Sequence, residues 1–402
     1  MKISTSLDTT SPLMENIKKV FTLLAFLFPF MPNTYRTAFL ASGLILAIIF
    51  SPGIFINRDT VPIYIFWAIA TITSLFSVNP LKAILNTKGI FFDILVPFAV
   101  FGFFPLFDQK LFLKYFPYVL FAITSLTIII YLIYPQGFSF FNKQHWLVGF
   151  LGGKLTYAGV ISFLMPLLYF EEGKKRNTLV FLSFFTLLLS LTFNLSRSYY
   201  IGAFIFLFLC LLMFSKTLKI YYAALILLFA FSIFFNQRSL SYLKSSIPDE
   251  ENASAYARIE MWKMGFKILK ERLFTGIGYE LWGQSDVSDY YIEKYKTDNL
   301  QKVLQKSNIL KAIKGHLHSN YVMEAVNGGL TLLISFLLLL FYYLYSFAKS
   351  PMPYKALGIG LILILASAGA FEYNFSDAEV VQNFSMVLGI LLAKARENED
   401  SR

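Results

Sequence analysis

Charge is scarce in this chain, and so are cysteine and histidine. Only 15% of the 402 residues are charged, against about 25% in an ordinary soluble domain, which excludes a water-soluble fold. One cysteine, Cys210, excludes an internal disulfide and a cysteine metal cluster. Three histidines, His145, His316 and His318, are nearly the only groups able to exchange a proton near neutral pH. No Gly-x-x-x-x-Gly-Lys stretch cradles a nucleotide phosphate, which argues against an ATP-driven pump. Alternating strands of about ten residues are missing, which argues against a membrane barrel. The segment from Met1 to Lys19 is polar and shows no cleavable signal pattern, so the apolar run Val20 to Phe30 is expected to be a retained first span.

What the chain does have is apolar length. It is 56% hydrophobic with 45 phenylalanines, and the apolar residues fall in runs of about 15–25, the length that crosses hydrocarbon as a helix. The expected fold is all-α, a polytopic integral membrane protein of about twelve transmembrane helices with one large helical external loop. The spans fall near 18–31, 37–51, 61–77, 89–107, 112–134, 155–170, 177–195, 198–215, 219–235, 319–346, 354–371 and 380–395. Pro29 and Pro32 close the first span and Pro166 interrupts the sixth. Three parts follow: residues 1–235 with nine spans, a loop over 236–318, and 319–402 with three spans and a short tail.

Lysine and arginine orient the bundle. With both termini inside, the inner segments hold sixteen of them and the short outer segments six. That bias predicts cytoplasmic termini, and the long 236–318 segment is exempt because long loops translocate regardless of charge. The net charge of +11 therefore reads as a topology signal plus a basic external loop, not as a nucleic-acid surface. Within that loop Ile259, Trp262, Phe266, Leu269 and Leu273 recur at helical spacing among basic residues, predicting an amphipathic helix that Gly276-Ile277-Gly278 terminates. A second, polar helical stretch is expected over 288–314.

All three histidines fall on the outer side in this topology, as does Arg197 in the turn Asn194-Leu195-Ser196-Arg197-Ser198. An arginine between two closely joined spans either snorkels to the interface or binds an anion. Arg258, on the amphipathic helix, reads either as a solvated face charge or as an anion ligand. His318 reads as a helix-capping residue or a proton acceptor, and His145 beside Trp146 as interfacial. His316, two residues before His318, would point elsewhere on a helix. The outer acids Asp249, Glu250, Glu251, Glu280, Asp286 and Asp377 form no spaced cluster with the histidines, so no metal site is expected. Two arginines with planar forks suited to phosphate, beside one histidine, fit a lipid-linked phosphate substrate and a proton acceptor.

At these residues the sequence resembles the O-antigen ligase and polymerase superfamily. His318 followed by ten residues and Gly329 is similar to a His-x10-Gly signature, and Ser196-Arg197-Ser198 to a Ser-Arg-small element. Arg258, Trp262 and Gly276-Ile277-Gly278 resemble an Arg…Trp…Gly-x-Gly stretch in a large periplasmic loop. Gly152-Gly153-Lys154-Leu155-Thr156-Tyr157-Ala158-Gly159 is similar to the element that opens a mid-chain span. Three positions depart from the pattern: Ser319 precedes Asn320, Asn327 replaces an acid, and Leu332 replaces a second glycine. The resemblance implies a bacterial inner-membrane enzyme, active at the periplasmic face, needing no cofactor, metal or ATP. It would move a glycan from undecaprenyl diphosphate to a sugar hydroxyl of lipid A–core. It implies His318 as the general base and Arg197 and Arg258 as the diphosphate ligands, with His316 and Lys154 as secondary candidates. An O-antigen polymerase, a protein O-oligosaccharyltransferase and a transporter of the same lipid remain alternatives. A transporter calls for charges at mid-span, whereas these residues gather at one face.

Overall fold

The computed structural model describes residues 12–133, 142–143, 146–151, 153–244, 253–295 and 315–400. His145, the acids at 249–251 and most of the second loop stretch, 296–314, lie outside the described residues. Twelve helical segments of the bundle succeed one another among the described residues. They are α1 (Pro12–Leu27), α2 (Asn33–Phe50), α3 (Val61–Ser74), α4 running into α5 (Pro80–Asn86 and Val96–Phe103), α6 (Gln109–Ile133), α7 (Lys154–Leu164), α8 (Asn177–Asn194), α9 (Arg197–Met213) and α10 (Lys216–Phe235), then α14 (Asn320–Lys349), α15 (Tyr354–Gly369) and α16 (Ala378–Asp400). Between α10 and α14 lie α11 (Gln237–Lys244), α12 (Ala253–Glu271) and α13 (Ser285–Tyr295). Apart from Asn142–Lys143 paired with Trp146–Leu147, the described residues form no sheet. The chain is an all-helical polytopic membrane protein: seven helices are long and apolar enough to cross a bilayer, and α3, α7, α9 and α15 are shorter apolar helices.

Proline sets several of the helix ends. Pro97 has no N–H to give the carbonyl of Asp93, and the backbone ahead of it widens into a π turn over Ile90–Leu95. Pro166 converts the end of α7 into a tighter turn, Met165–Leu167. The bundle is layered around α16, whose membrane window is 89% buried. By contrast α10 turns Ile220, Leu227 and Phe231 outward, as lipid allows, because hydrocarbon solvates leucine as well as protein does. A buried polar contact crosses the bundle, from Gln382 Nε2 to Asp93 Oδ1 at 2.7 Å.

The loop helix α12 forms where the periodicity places it but turns a different face inward. Ala257, Met261, Met264 and Ile268 are buried, while Phe266 and Leu273 of the expected stripe are more than 40% exposed. Both stripes have helical spacing, and tertiary packing against α14 selects the one with unbranched, adaptable methionines.

The connection between loop and bundle explains the glycines. Helix α14 is broken at Gly328 (φ −136°, ψ 20°) and Gly329 (φ 69°, ψ −165°). Into that break comes the segment 273–278. Leu330 N–H donates to Leu273 O at 2.6 Å, Ile277 N–H to Val326 O at 2.8 Å, and Gly278 N–H to Asn327 O at 2.9 Å. A side chain on Gly329 would sit 2.5 Å from the Phe274 carbonyl carbon, and one on Gly276 (φ +60°) would meet the Val326 carbonyl oxygen. Gly276 and Gly329 therefore face each other across one backbone-to-backbone seam. Gly329→Ala is expected to destabilise the protein by at least ~1–3 kcal/mol, the cost of forcing that dihedral pair on an L residue; an unchanged melting temperature in detergent would show that the seam relaxes freely.

The Lys/Arg bias is testable at exposed positions on either side. In a Cys210→Ala background, Asp286→Cys should react with an impermeant thiol reagent in intact spheroplasts, and Glu397→Cys, whose parent side chain is 57% exposed, should react only after lysis. The reverse pattern would invert the topology.

Candidate active site

The three elements that the sequence singles out meet at the loop-side ends of α7, α9 and α14. Lys154 is the first residue of α7 and Arg197 the first of α9. The turn before α9 is fixed by Leu195 in the left-handed conformation (φ 62°) and by Asn194, whose Nδ2 donates to Leu147 O (2.6 Å) and Lys154 O (2.9 Å). That amide joins the two helix starts. Basic residues at helix N-termini are unfavourable beside the positive dipole end, so each raises the demand for an anion. The charges of Arg197, Arg258 and Glu372 all act at the Lys154 ammonium, so these four groups occupy one neighbourhood.

The histidines are not on a helix. Residues 316–319 form an irregular entry to α14: His318 has φ +50°, and Ser319 is the N-cap, accepting from Val322 N–H at 3.4 Å. The expectation that His316 points away from His318 is therefore wrong. Their ring centroids are 4.2 Å apart, and His318 N–H donates to His316 Nδ1 at 3.2 Å. Trp262 holds this turn from the loop, its Nε1–H donating to Leu317 O at 3.1 Å.

At the centre of the site is a residue the sequence reading passed over. Glu372 is buried, and it accepts from Arg258 Nη2 at 2.7 Å through Oε1 and from His318 Nδ1 at 3.2 Å through Oε2. Burial alone raises a carboxyl group's pKa, but here the hydrogen bond from His318 and the charge of Arg258 outweigh it, and the net shift is downward. An ionised Glu372 has no proton to give, so His318 Nδ1 must carry one, and Nε2 is left as the basic nitrogen. His316 is held neutral: burial, then the neighbouring His318, lower it to about 4. With Nδ1 accepting, its proton resides on Nε2.

The Glu372 loop is strapped in place by side chains of α14 and α9. Asn320 Oδ1 accepts from the backbone N–H of Asn374 (2.8 Å) and Phe375 (3.2 Å). Asn327 Oδ1 accepts from Glu280 N–H (3.3 Å), and its Nδ2 donates to Tyr373 Oη (3.1 Å). Tyr199, two residues after Arg197, donates its hydroxyl to Asn374 Oδ1 at 2.7 Å. So α9, α14 and the loop before α16 converge on one carboxylate. The signal available in sequence was an acid in the short connection 370–377, on the face that carries three cations; a buried charge there needs a partner of opposite sign.

Among the described residues no cluster of three or more histidine, cysteine or acidic side chains is disposed to hold a metal ion. What the arrangement offers is a group of cations and an oriented imidazole. Residues 182–337 match the family model described as O-antigen ligase. The match supports the O-antigen ligase superfamily. It takes in Arg197, Arg258, His316 and His318 and stops short of Lys154 and Glu372. No curated protein matches the chain. That family as a whole implies a lipid-linked glycan transferase-type activity in general.

Acid should loosen this site first. Because the folded state holds His316 neutral, the unfolded chain binds its proton more readily. His316's contribution is thus fully present above about pH 6.5 and lost as pH falls toward about 4. The depressed Glu372 adds a further loss below its ordinary range near 4.5. Buried carboxyl groups such as Glu280, which burial raises to about 7, act in the opposite direction, so the readout is a difference: as pH falls from about 6.5 toward 4, His316→Asn, which keeps an acceptor for His318 N–H without a titrating ring, should lose less melting temperature in detergent than the parent chain. An equal slope in the variant would place the acid sensitivity elsewhere.

Proposed function

We propose that this protein is an O-antigen ligase of the bacterial inner membrane, an inverting glycosyltransferase. It moves glycan from undecaprenyl diphosphate to a sugar hydroxyl of lipid A–core at the periplasmic face, with 236–318 as the periplasmic loop. The observation that carries this reading is the Arg258–Glu372–His318 chain beside Lys154 and Arg197. A carboxylate, an imidazole with its free nitrogen basic, and a group of cations supply a base and an anion clamp at one face.

The steps balance without a cofactor or ATP, because the diphosphate is already a good leaving group. Arg197, with Lys154 beside it, grips the diphosphate; Arg258 uses one nitrogen on Glu372 and keeps further N–H groups for phosphate oxygen. His318 Nε2 takes the proton from the acceptor hydroxyl as its oxygen bonds to the anomeric carbon. The bond from that carbon to the phosphate oxygen breaks on the opposite side, so the configuration inverts and undecaprenyl diphosphate departs. Fixed cations stabilise the charge that develops on it. Glu372 steadies the imidazolium, as a buried carboxylate does when it holds an imidazole in one tautomer.

Three outcomes test this. His318→Ala should lower transfer by about 10²–10⁴-fold, the usual size of a general-base contribution, while lipid-linked donor still binds; loss of binding together with transfer would move His318 from chemistry to donor recognition. Arg197→Lys should fail to restore full rate, since a point charge does not reproduce a bidentate grip; wild-type turnover at equal abundance would reduce its role to bulk charge. Deletion should leave lipid A–core without polymer while polymer accumulates on the lipid carrier. Lipopolysaccharide bearing a single repeat unit would instead identify the polymerase.

A further inference from the structure

Beside the histidine pair lies a cavity of about 410 Å³, lined by Asn33, Leu155, Thr156, His316, Glu372, Tyr373, Asn374 and residues Ser376 to Glu379. Its size falls within the range of about 300–1,000 Å³ usual for small-molecule sites. Its chemistry is opposite to that of the neighbouring cations. Three carboxylates, two amides and three hydroxyls line it, and no lysine or arginine does. The lining itself thus favours hydroxyl and amine donors over an anion such as the diphosphate, which Lys154 and Arg197 attract instead.

The polar groups are built in rather than loosely exposed. Thr156 Oγ1 donates to Asp377 Oδ2 at 2.8 Å, and Asp377 Oδ1 accepts from Val380 N–H at 3.4 Å at the start of α16. Asn374 is only 4% exposed; its Oδ1 is taken by Tyr199, and its buried Nδ2 has no hydrogen-bond partner. A buried amide donor without an acceptor is costly, and a ligand oxygen in the cavity it lines relieves that cost. Carboxylates accept from hydroxyls, the amide donates to ring or hydroxyl oxygen, and Leu155 and Tyr373 supply apolar contact for a ring face. This combination fits a polyol ring.

We propose that this cavity is a sugar subsite for an uncharged or amino-substituted pyranose, one imidazole's width from His318, and that it selects against acidic sugars. The assignment rests on the glycan-transfer reading for its sugar, which comes either from the donor glycan or from the acceptor saccharide.

Saturation-transfer NMR on the detergent-solubilised full chain tests it without turnover, with glucose, glucosamine and glucuronate as probes. Glucose and glucosamine should give signals that vanish in Ser376→Trp, which fills the cavity, and glucuronate should give at most a several-fold weaker one. Signals unchanged in both Ser376→Trp and Glu379→Gln, or glucuronate exceeding glucosamine, overturn the subsite. Should Ser376→Trp fail to fold, Glu379→Gln decides alone: it should cut the glucosamine signal severalfold. In transfer assays Glu379→Gln should raise KM about 5–10-fold for one saccharide substrate, with kcat within about twofold. A rise confined to the donor or to the acceptor names the source, and no rise for either overturns the subsite. Sugar binding in a protein that transfers no glycan would sink the transferase reading and leave the subsite standing.

Discussion

One buried carboxylate decides the rest of the site. Glu372 sits between a guanidinium and an imidazole, and each of the three needs the other two. Without Arg258 the carboxylate is a buried charge with half its compensation; without Glu372 the arginine and the histidine become neighbouring donors with nothing to donate to. Removing one partner of such a buried pair typically costs about 3–5 kcal/mol. The same contact fixes the His318 tautomer, so structural and chemical demands fall on one residue. That coupling explains why Glu372 is surrounded by so much backbone hardware: Asn320, Asn327 and Tyr199 all hydrogen-bond into its loop.

The second constraint is geometric. Arg258 and Trp262 belong to the loop, while His318 and Glu372 sit at the ends of bundle helices, so the site exists only if loop and bundle are locked in register. The lock is the seam of backbone hydrogen bonds between 273–278 and the break in α14. A buried helix break leaves orphan amides and carbonyls that must find partners in the protein; here the loop segment satisfies them. The spacing from His318 to Gly329 then has a physical meaning. It is the distance along α14 from the histidine turn to the seam, so Trp262 and His318 are placed by the same ruler.

Hydropathy made the bundle legible, because a bilayer permits little besides apolar helices; seven long and four shorter apolar helices appear in the expected order among the described residues, with ends moved by a few residues at Pro97 and Pro166. Motif spacing made Arg197, Arg258 and His318 legible as a group. Three things were hidden. The buried face of α12 was ambiguous, since two stripes share helical spacing and only packing chooses between Met261 and Phe266. The His316–His318 relation was misread because a helix was assumed where Ser319 caps one, and residues ahead of a cap do not follow the 3.6-residue period. Glu372 was hidden because its partners are 54 and 114 positions away, and no local pattern reports a contact at that range.

Charge is partitioned across the site in a way that a single-sign pocket would not allow. Lys154 and Arg197, on two joined helix starts, gather positive potential from side chain and backbone alike, whereas the cavity past His316 is acidic. A glycosyl diphosphate has the matching asymmetry: an anionic end, and hydroxyl-rich sugar where it is not anionic. If the subsite takes the donor's sugar, this field orients the donor before any specific contact forms, because reversing it puts phosphate against Glu379 and sugar hydroxyls against arginine. Glu372 lies on the boundary, bonded to Arg258 on one side and lining the cavity on the other. The reacting bond in the proposed transfer joins sugar to phosphate, so it falls on that same boundary. On that proposal His318, held by Glu372, serves as the base at the sugar carbon while cations reach the departing oxygen.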